Sequence, residues 1–136
     1  MTKSNFTSVD TDTLYLAGTA LTSTAGEYNL FDQEYQLIEA NGNITVKNGI
    51  CRMAKTVAGA LAIDLPDPTV TTDDFKRLTI INFQAQQNVV TSASSFGGAG
   101  GGEDVATFTN TIGNTLSLMA YQGVWYITGQ LGVTVA

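Results

Sequence analysis

The residues able to do chemistry in this sequence are few, and their surroundings narrow what they can do. Gly97-Gly98-Ala99-Gly100-Gly101-Gly102 has the glycine density of a phosphate-binding loop. A phosphate cradle needs a strand before it, a helix after it and a Lys-Ser or Lys-Thr pair at its end. Here Glu103-Asp104 follows, whose charge repels phosphate, so the run reads as a flexible loop tip. Asp64, Asp67, Asp73 and Asp74 flank one Pro-containing stretch and offer oxygen ligands, but their spacing does not follow an EF-hand ligand ladder. Capping of turns by aspartate accounts for them more simply, and no metal is expected. Paired carboxylates also hydrolyse glycosides, yet nothing in the sequence sets one pair across a cleft.

Histidine is absent, which removes every His-based triad, His general base and His metal ligand. The expectation is a protein without catalytic residues and without a cofactor. The single cysteine, Cys51, excludes an internal disulfide and any Cys-rich zinc site. It falls in an apolar run, where an inert buried thiol is expected, and a reducing compartment suits the chain. Tyr121, Trp125 and Tyr126 surround a Gln122-Gly123 turn. Alternation about that turn sends Trp125 to the core and leaves Tyr121 and Tyr126 on the other face, free for a subunit contact or a ligand.

The elements that must position these groups are strands. From Tyr35 onward, apolar runs of a few residues are broken by Gly and Asn. Asn41-Gly42 and Asn48-Gly49 separate Leu37–Ala40, Asn43–Val46 and Ile50–Met53, and favour type I′ turns, which predicts a three-strand meander. Leu61, Ile63 and Leu65 alternate with Ala62 and Asp64 until Pro66 and Pro68 stop the ladder. Leu65 to Asp74 then reads as a solvated loop, and Phe75 to Phe83 as a long strand with Leu78, Ile80 and either Ile81 or Phe83 inward. Asn88–Thr91 offers a short partner strand, Leu116–Ala120 and Val124–Ile127 form the clearest hairpin, and Leu131–Val135 closes a sheet. The Ala-rich stretch from Met53 to Ala62 comes nearest to a helical period, but Thr56, Val57 and Gly59 oppose it. The fold expected is all-β, a small antiparallel β-sandwich or jelly-roll-like domain over residues 35–136, preceded by an extended arm over residues 1–34.

With 136 residues, 43% of them hydrophobic, the chain suits one domain with a single core. Only 13% are charged, roughly half the usual share near 25%. A deficit of that size suggests that partner subunits cover much of the surface. The net charge of −6 has the wrong sign for a nucleic acid partner. No apolar run approaches the ~20 residues that span a bilayer, and the N-terminus lacks a signal peptide's apolar stretch, so no membrane partner and synthesis in a cytoplasm are expected. The arm is Thr-, Ser- and Asp-rich, and its apolar islands at Phe6, Leu14, Leu16 and Leu21 are candidates to dock on a neighbour, together with Tyr121 and Tyr126.

A series of short elements carries a resemblance. Lys47-Asn48-Gly49-Ile50 to Lys55 is followed by Ala60–Thr69, then by Asp73-Asp74-Phe75-Lys76-Arg77-Leu78-Thr79-Ile80 and Asn88-Val89-Val90-Thr91. Val105–Phe108, Ile112-Gly113 and Ala120-Tyr121-Gln122-Gly123-Val124-Trp125-Tyr126 complete the series. In order and spacing these resemble a β-domain of tailed-bacteriophage virion proteins, found in small capsid decoration (cement) proteins and in tail fibres and spikes. Two positions depart from that pattern: Phe75 stands where a turn glycine is usual, and Asn88 where a histidine is common. The resemblance implies a structural protein that forms a homotrimer on the outer surface of the virion capsid and bridges major capsid protein subunits. A tail-fibre module meeting a cell-surface glycan is the alternative it leaves open.

Overall fold

A computed structural model describes residues 33–97 and 102–136, together with the backbone of Leu14–Leu16 and Thr19–Leu21. The chain divides into two compact units, Met1–Phe31 and Asp32–Ala136. In the first, β1 (Leu14–Leu16) and β2 (Thr19–Leu21) form an antiparallel pair with Leu14 opposite Leu21. Phe6 lies outside the described residues, as do the side chains of Leu14, Leu16 and Leu21.

The second unit is all-β among the described residues. Its strands are β3 (Glu34–Ile38), β4 (Gly42–Asn43), β5 (Gly49–Met53), β6 (Ala62–Leu65), β7 (Arg77–Asn82), β8 (Val89–Ser92), β9 (Val105–Phe108), β10 (Thr115–Tyr121), β11 (Val124–Leu131) and β12 (Val133–Val135). They form two five-stranded sheets, ordered β11-β10-β7-β5-β3 (sheet I) and β12-β9-β8-β6-β4 (sheet II). This is a small β-sandwich.

From β3 to β8 the chain alternates between the sheets, so that β3, β5 and β7 pair in parallel on one side and β4, β6 and β8 on the other. The result is three stacked coils. β9, β10, β11 and β12 then add antiparallel strands, which makes both sheets mixed rather than wholly antiparallel. The meander expected at the two Asn-Gly pairs is therefore replaced, because successive runs belong to different sheets. The asparagines bridge coils instead: Ala62 N–H donates to Asn41 Oδ1 at 3.0 Å and Arg77 N–H to Asn48 Oδ1 at 3.2 Å. Gly49 has φ 143° and lies against the Glu34 backbone where a Cβ would collide, so glycine here serves close stacking of coils.

Alternation does position the core. Leu61, Ile63 and Leu65 from the β6 segment face Cys51 and Met53 of β5, Leu78 and Ile80 of β7, and Leu116, Leu118 and Ala120 of β10 in one buried cluster. Phe96, Phe108 and Trp125 supply its largest rings. In β7 the third inward position belongs to Asn82, while Ile81 points outward half-buried and Phe83 is exposed. A polar residue holds that place because an amide network closes this end of the sandwich. Asn82 Oδ1 accepts from Asn88 Nδ2 at 2.9 Å, and Asn88 Oδ1 accepts from Leu61 N–H at 2.8 Å and from Gln84 Nε2 at 2.7 Å. Asn114 Nδ2 ties Thr109 to the carbonyl of Gly132 at 3.1 Å. Buried amides so completely paired satisfy the backbone where strands end.

Candidate functional site

The opposite end, where β7 begins, holds the unusual geometry. Residues 66–76 cross this end between β6 and β7, and three sets of contacts fix them. Trp125 Nε1 donates to the Pro66 carbonyl at 3.0 Å, which satisfies the one polar atom of a ring otherwise buried in the core. Asp73, expected to be solvated, is buried and joins Lys47 and Lys76, each at 2.8 Å, and accepts from Thr69 N–H at 2.6 Å. Burial alone would raise the Asp73 carboxyl, but the hydrogen bonds from Lys47, Lys76 and the Thr69 amide outweigh it and hold the group well below the usual carboxylate range. Asp74 reaches across to the hairpin tip and accepts from Gln122 N–H at 2.8 Å and Gln122 Nε2 at 3.1 Å.

These anchors hold an unfavourable backbone. Thr71, Phe75 and Gln122 have φ of 67°, 66° and 50°, and among the described residues they are the non-glycine residues in the left-handed region. For an L-residue that conformation costs about 1–2 kcal/mol. Gln122 shares the β10–β11 hairpin turn with Gly123, where positive φ at both positions is what a type I′ turn demands. Phe75 is different. It is the bulky residue standing where the resemblance leads one to expect glycine, and it is 57% exposed.

Three rings gather there. Phe75 and Tyr121 have centroids 5.5 Å apart, and Tyr121 and Tyr126 6.4 Å apart, all with tilted planes. Tyr121 and Tyr126, on neighbouring strands, thus point away from the core as their alternation predicts, and all three are exposed. Tyr126 is backed by Gly97, whose N–H donates to the Trp125 carbonyl at 2.8 Å and where a Cβ would sit 2.6 Å from the ring. Gly97 is glycine because the tyrosine ring lies flat against its backbone. Residues 98–101 of the glycine run lie outside the described residues.

Sequence reasoning picked out Tyr121 and Tyr126 but missed Phe75 as their companion. The signal was present, since a phenylalanine in place of a turn glycine between Asp74 and Lys76 is a local conflict.

The other candidates are committed elsewhere. Asp67 accepts from the Ser94 amide at 3.0 Å and its hydroxyl at 2.7 Å, so Asp67, Asp73 and Asp74 each have their own partner, while Asp64 is exposed on β6. Among the described residues no three acids, cysteines or histidines gather as a metal site would require. Cys51 is fully buried, and burial pushes its thiol up to about 12, so it is an unreactive core residue. What this end offers chemically is an aromatic platform on a rigid base. No protein-family model matches the chain, and no curated protein matches it.

Proposed function

We propose that this chain is a structural virion protein without enzymatic activity, a capsid decoration protein that trimerises on the outside of a tailed-phage head and stabilises the lattice of major capsid protein. The partner-binding part of this reading rests on Phe75. A residue that strains its backbone and leaves its ring in solvent gives its own fold little in return, and such strain concentrates where a protein meets something else. The identity of the partner rests on the resemblance of residues 47–126 to virion β-domains. A sandwich with so few charges also has little to guard its edge strands, so coverage by neighbours suits it. The mechanism is mass action: a ligand that binds only the assembled shell stabilises it by its binding free energy, repeated over many copies.

The purified protein is expected to co-sediment with shells that lack it and to restore their resistance to heat or low salt. Absence of binding to any shell surface refutes the decoration reading. The exposed rings beside Asp74 and Gln122 favour a second reading, a fibre module that stacks on a cell-surface glycan. Adsorption to host cells that is competed by surface polysaccharide would select it.

A further inference from the structure

Among the described residues, the outward face of sheet I carries arginine as its only charge and exposed apolar side chains beside it. Following the registers, the side chains on this face include Tyr35, Leu37, Ile50 and Ile81 beside the hydroxyl residues Thr79 and Ser117, and the rings of Tyr121 and Tyr126 lie at its corner where β7 begins. Its charges are Arg52 and Arg77, and no Asp, Glu or Lys occupies an outward position in its five strands. Tyrosine, aliphatic side chains and arginine, with lysine and carboxylates excluded, is the composition of an interface centre rather than of a solvated sheet. Five strands about 4.8 Å apart and five to eight residues long give a face of roughly 24 by 20 Å. That is on the order of 500 Å² before side-chain relief is counted, towards the ~800 Å² that one partner contributes to a standard interface.

The arginines indicate what covers it. Arg52 lies over the Phe83 ring at 4.4 Å from its centroid, and its buried Nε has no hydrogen-bond partner. Among the described residues the ion pairs are those of Asp73 with Lys47 and Lys76, so neither Arg52 nor Arg77 has a carboxylate. The chain as a whole carries a net charge of −6, so the remainder of another copy supplies the carboxylates that this face lacks. An isologous contact would set the arginines of two copies against one another. A heterologous contact, face against a different and acidic surface, avoids that and closes into a ring when its rotation allows.

We propose that the outward face of sheet I packs against a second copy of this chain in a heterologous contact, with Arg52 and Arg77 reaching carboxylates of that copy. The assignment rests on the oligomeric reading above and deepens it. The test is the mass of the full chain by sedimentation velocity, for wild type, Ile81→Asp, the double variant Arg52→Glu with Arg77→Glu, and Thr107→Glu on the outward face of sheet II. Wild type and Thr107→Glu are expected to assemble alike, and the two face variants to dissociate at least about tenfold more readily. Burial of Trp125, followed by its fluorescence, shows that each variant is folded. Assembly that survives both face variants overturns the face assignment while leaving the oligomer standing. A wild type that is monomeric throughout overturns both. Loss of shell binding by an intact oligomer refutes the decoration role alone.

Discussion

At the end of the sandwich where β7 finishes, the buried polar side chains are Asn82, Gln84, Asn88 and Asn114, all neutral amides, and their bonds run to one another and to strand-end backbone. At the end where β7 begins, closure relies on a carboxylate between two lysines, on three left-handed non-glycine residues and on a hairpin tip tethered by Asp74. At the first end every one of these buried amides is paired and satisfies strand-end backbone. The second keeps groups that a fold alone would not select: a strained Phe75, and tyrosines pointing into solvent. Local conflict of this kind marks the places where a sequence serves something other than its own stability. The contrast assigns stability to the buried amides of one end and partner contact to the exposed rings of the other, and substitutions at each end can break that division.

The largest effect is expected from Asn88→Ala. It leaves the Leu61 amide and the Gln84 side-chain amide without their partner in a buried site, while Asn82 Oδ1 keeps the Gln84 N–H at 3.2 Å. Each stranded buried group costs ~1–3 kcal/mol, so a loss of about 2 kcal/mol or more is expected in urea unfolding. A loss below about 1 kcal/mol would mean that this end is not the stabilising one.

How much of this division could be read from the sequence differs between the two ends. The core alternation of Leu61, Ile63 and Leu65, the inward Trp125 and the Gln122-Gly123 hairpin were all legible, because each depends on period-two burial or on local turn chemistry. The parallel stacking of β3, β5 and β7 was not. Asn-Gly beside apolar runs signals a hairpin locally, and only the long-range choice of sheet converts Asn41 and Asn48 into bridges between coils. The amide network was likewise hidden, since Asn82 in a strand looks like a solvent-facing residue until its partners at 84, 86, 88, 109 and 111 are known. At the site, the aromatic residues were visible but their convergence was not, because Phe75 lies 46 residues before Tyr121 and meets it through long-range bonds, its own N–H to the Ala120 carbonyl at 2.7 Å and the tether from Asp74 to Gln122.

Asp73→Asn should have an intermediate effect. The substitution weakens two ion pairs in which Lys47 is partly exposed, so solvent screening reduces the loss below that of a fully buried pair, to about 1–2 kcal/mol at neutral pH. The pH dependence follows from the lowered carboxyl. A group whose folded value lies below its ordinary value of 3.8 contributes its full stabilisation above that value and loses it as pH falls towards the folded one. The gap in unfolding free energy between wild type and Asp73→Asn should therefore be constant from neutral pH down to mildly acid conditions and close below pH 3.8. A gap that closes between neutral pH and that point would show that Asp73 is not the anchor of this end.

The smallest change in stability, and the most discriminating, is expected from Phe75→Gly. Glycine removes about 1–2 kcal/mol of left-handed strain and loosens the unfolded chain by roughly 0.5–1 kcal/mol. The contact with Tyr121 is lost as well, so the net change should fall within about 1 kcal/mol of zero. Binding should respond in the opposite proportion: if Phe75 exists for a partner, the glycine variant should unfold like wild type and fail to co-sediment with shells. A variant that loses stability heavily would show that the ring braces the loop from Pro66 to Lys76, and the strain would then be structural. One that keeps both stability and binding would remove the ring from the site and leave Tyr121 and Tyr126 to carry the contact. The two ends differ most sharply in this respect, because none of the buried amides Asn82, Gln84, Asn88 and Asn114 is a side chain whose removal is expected to leave the fold intact while abolishing an interaction.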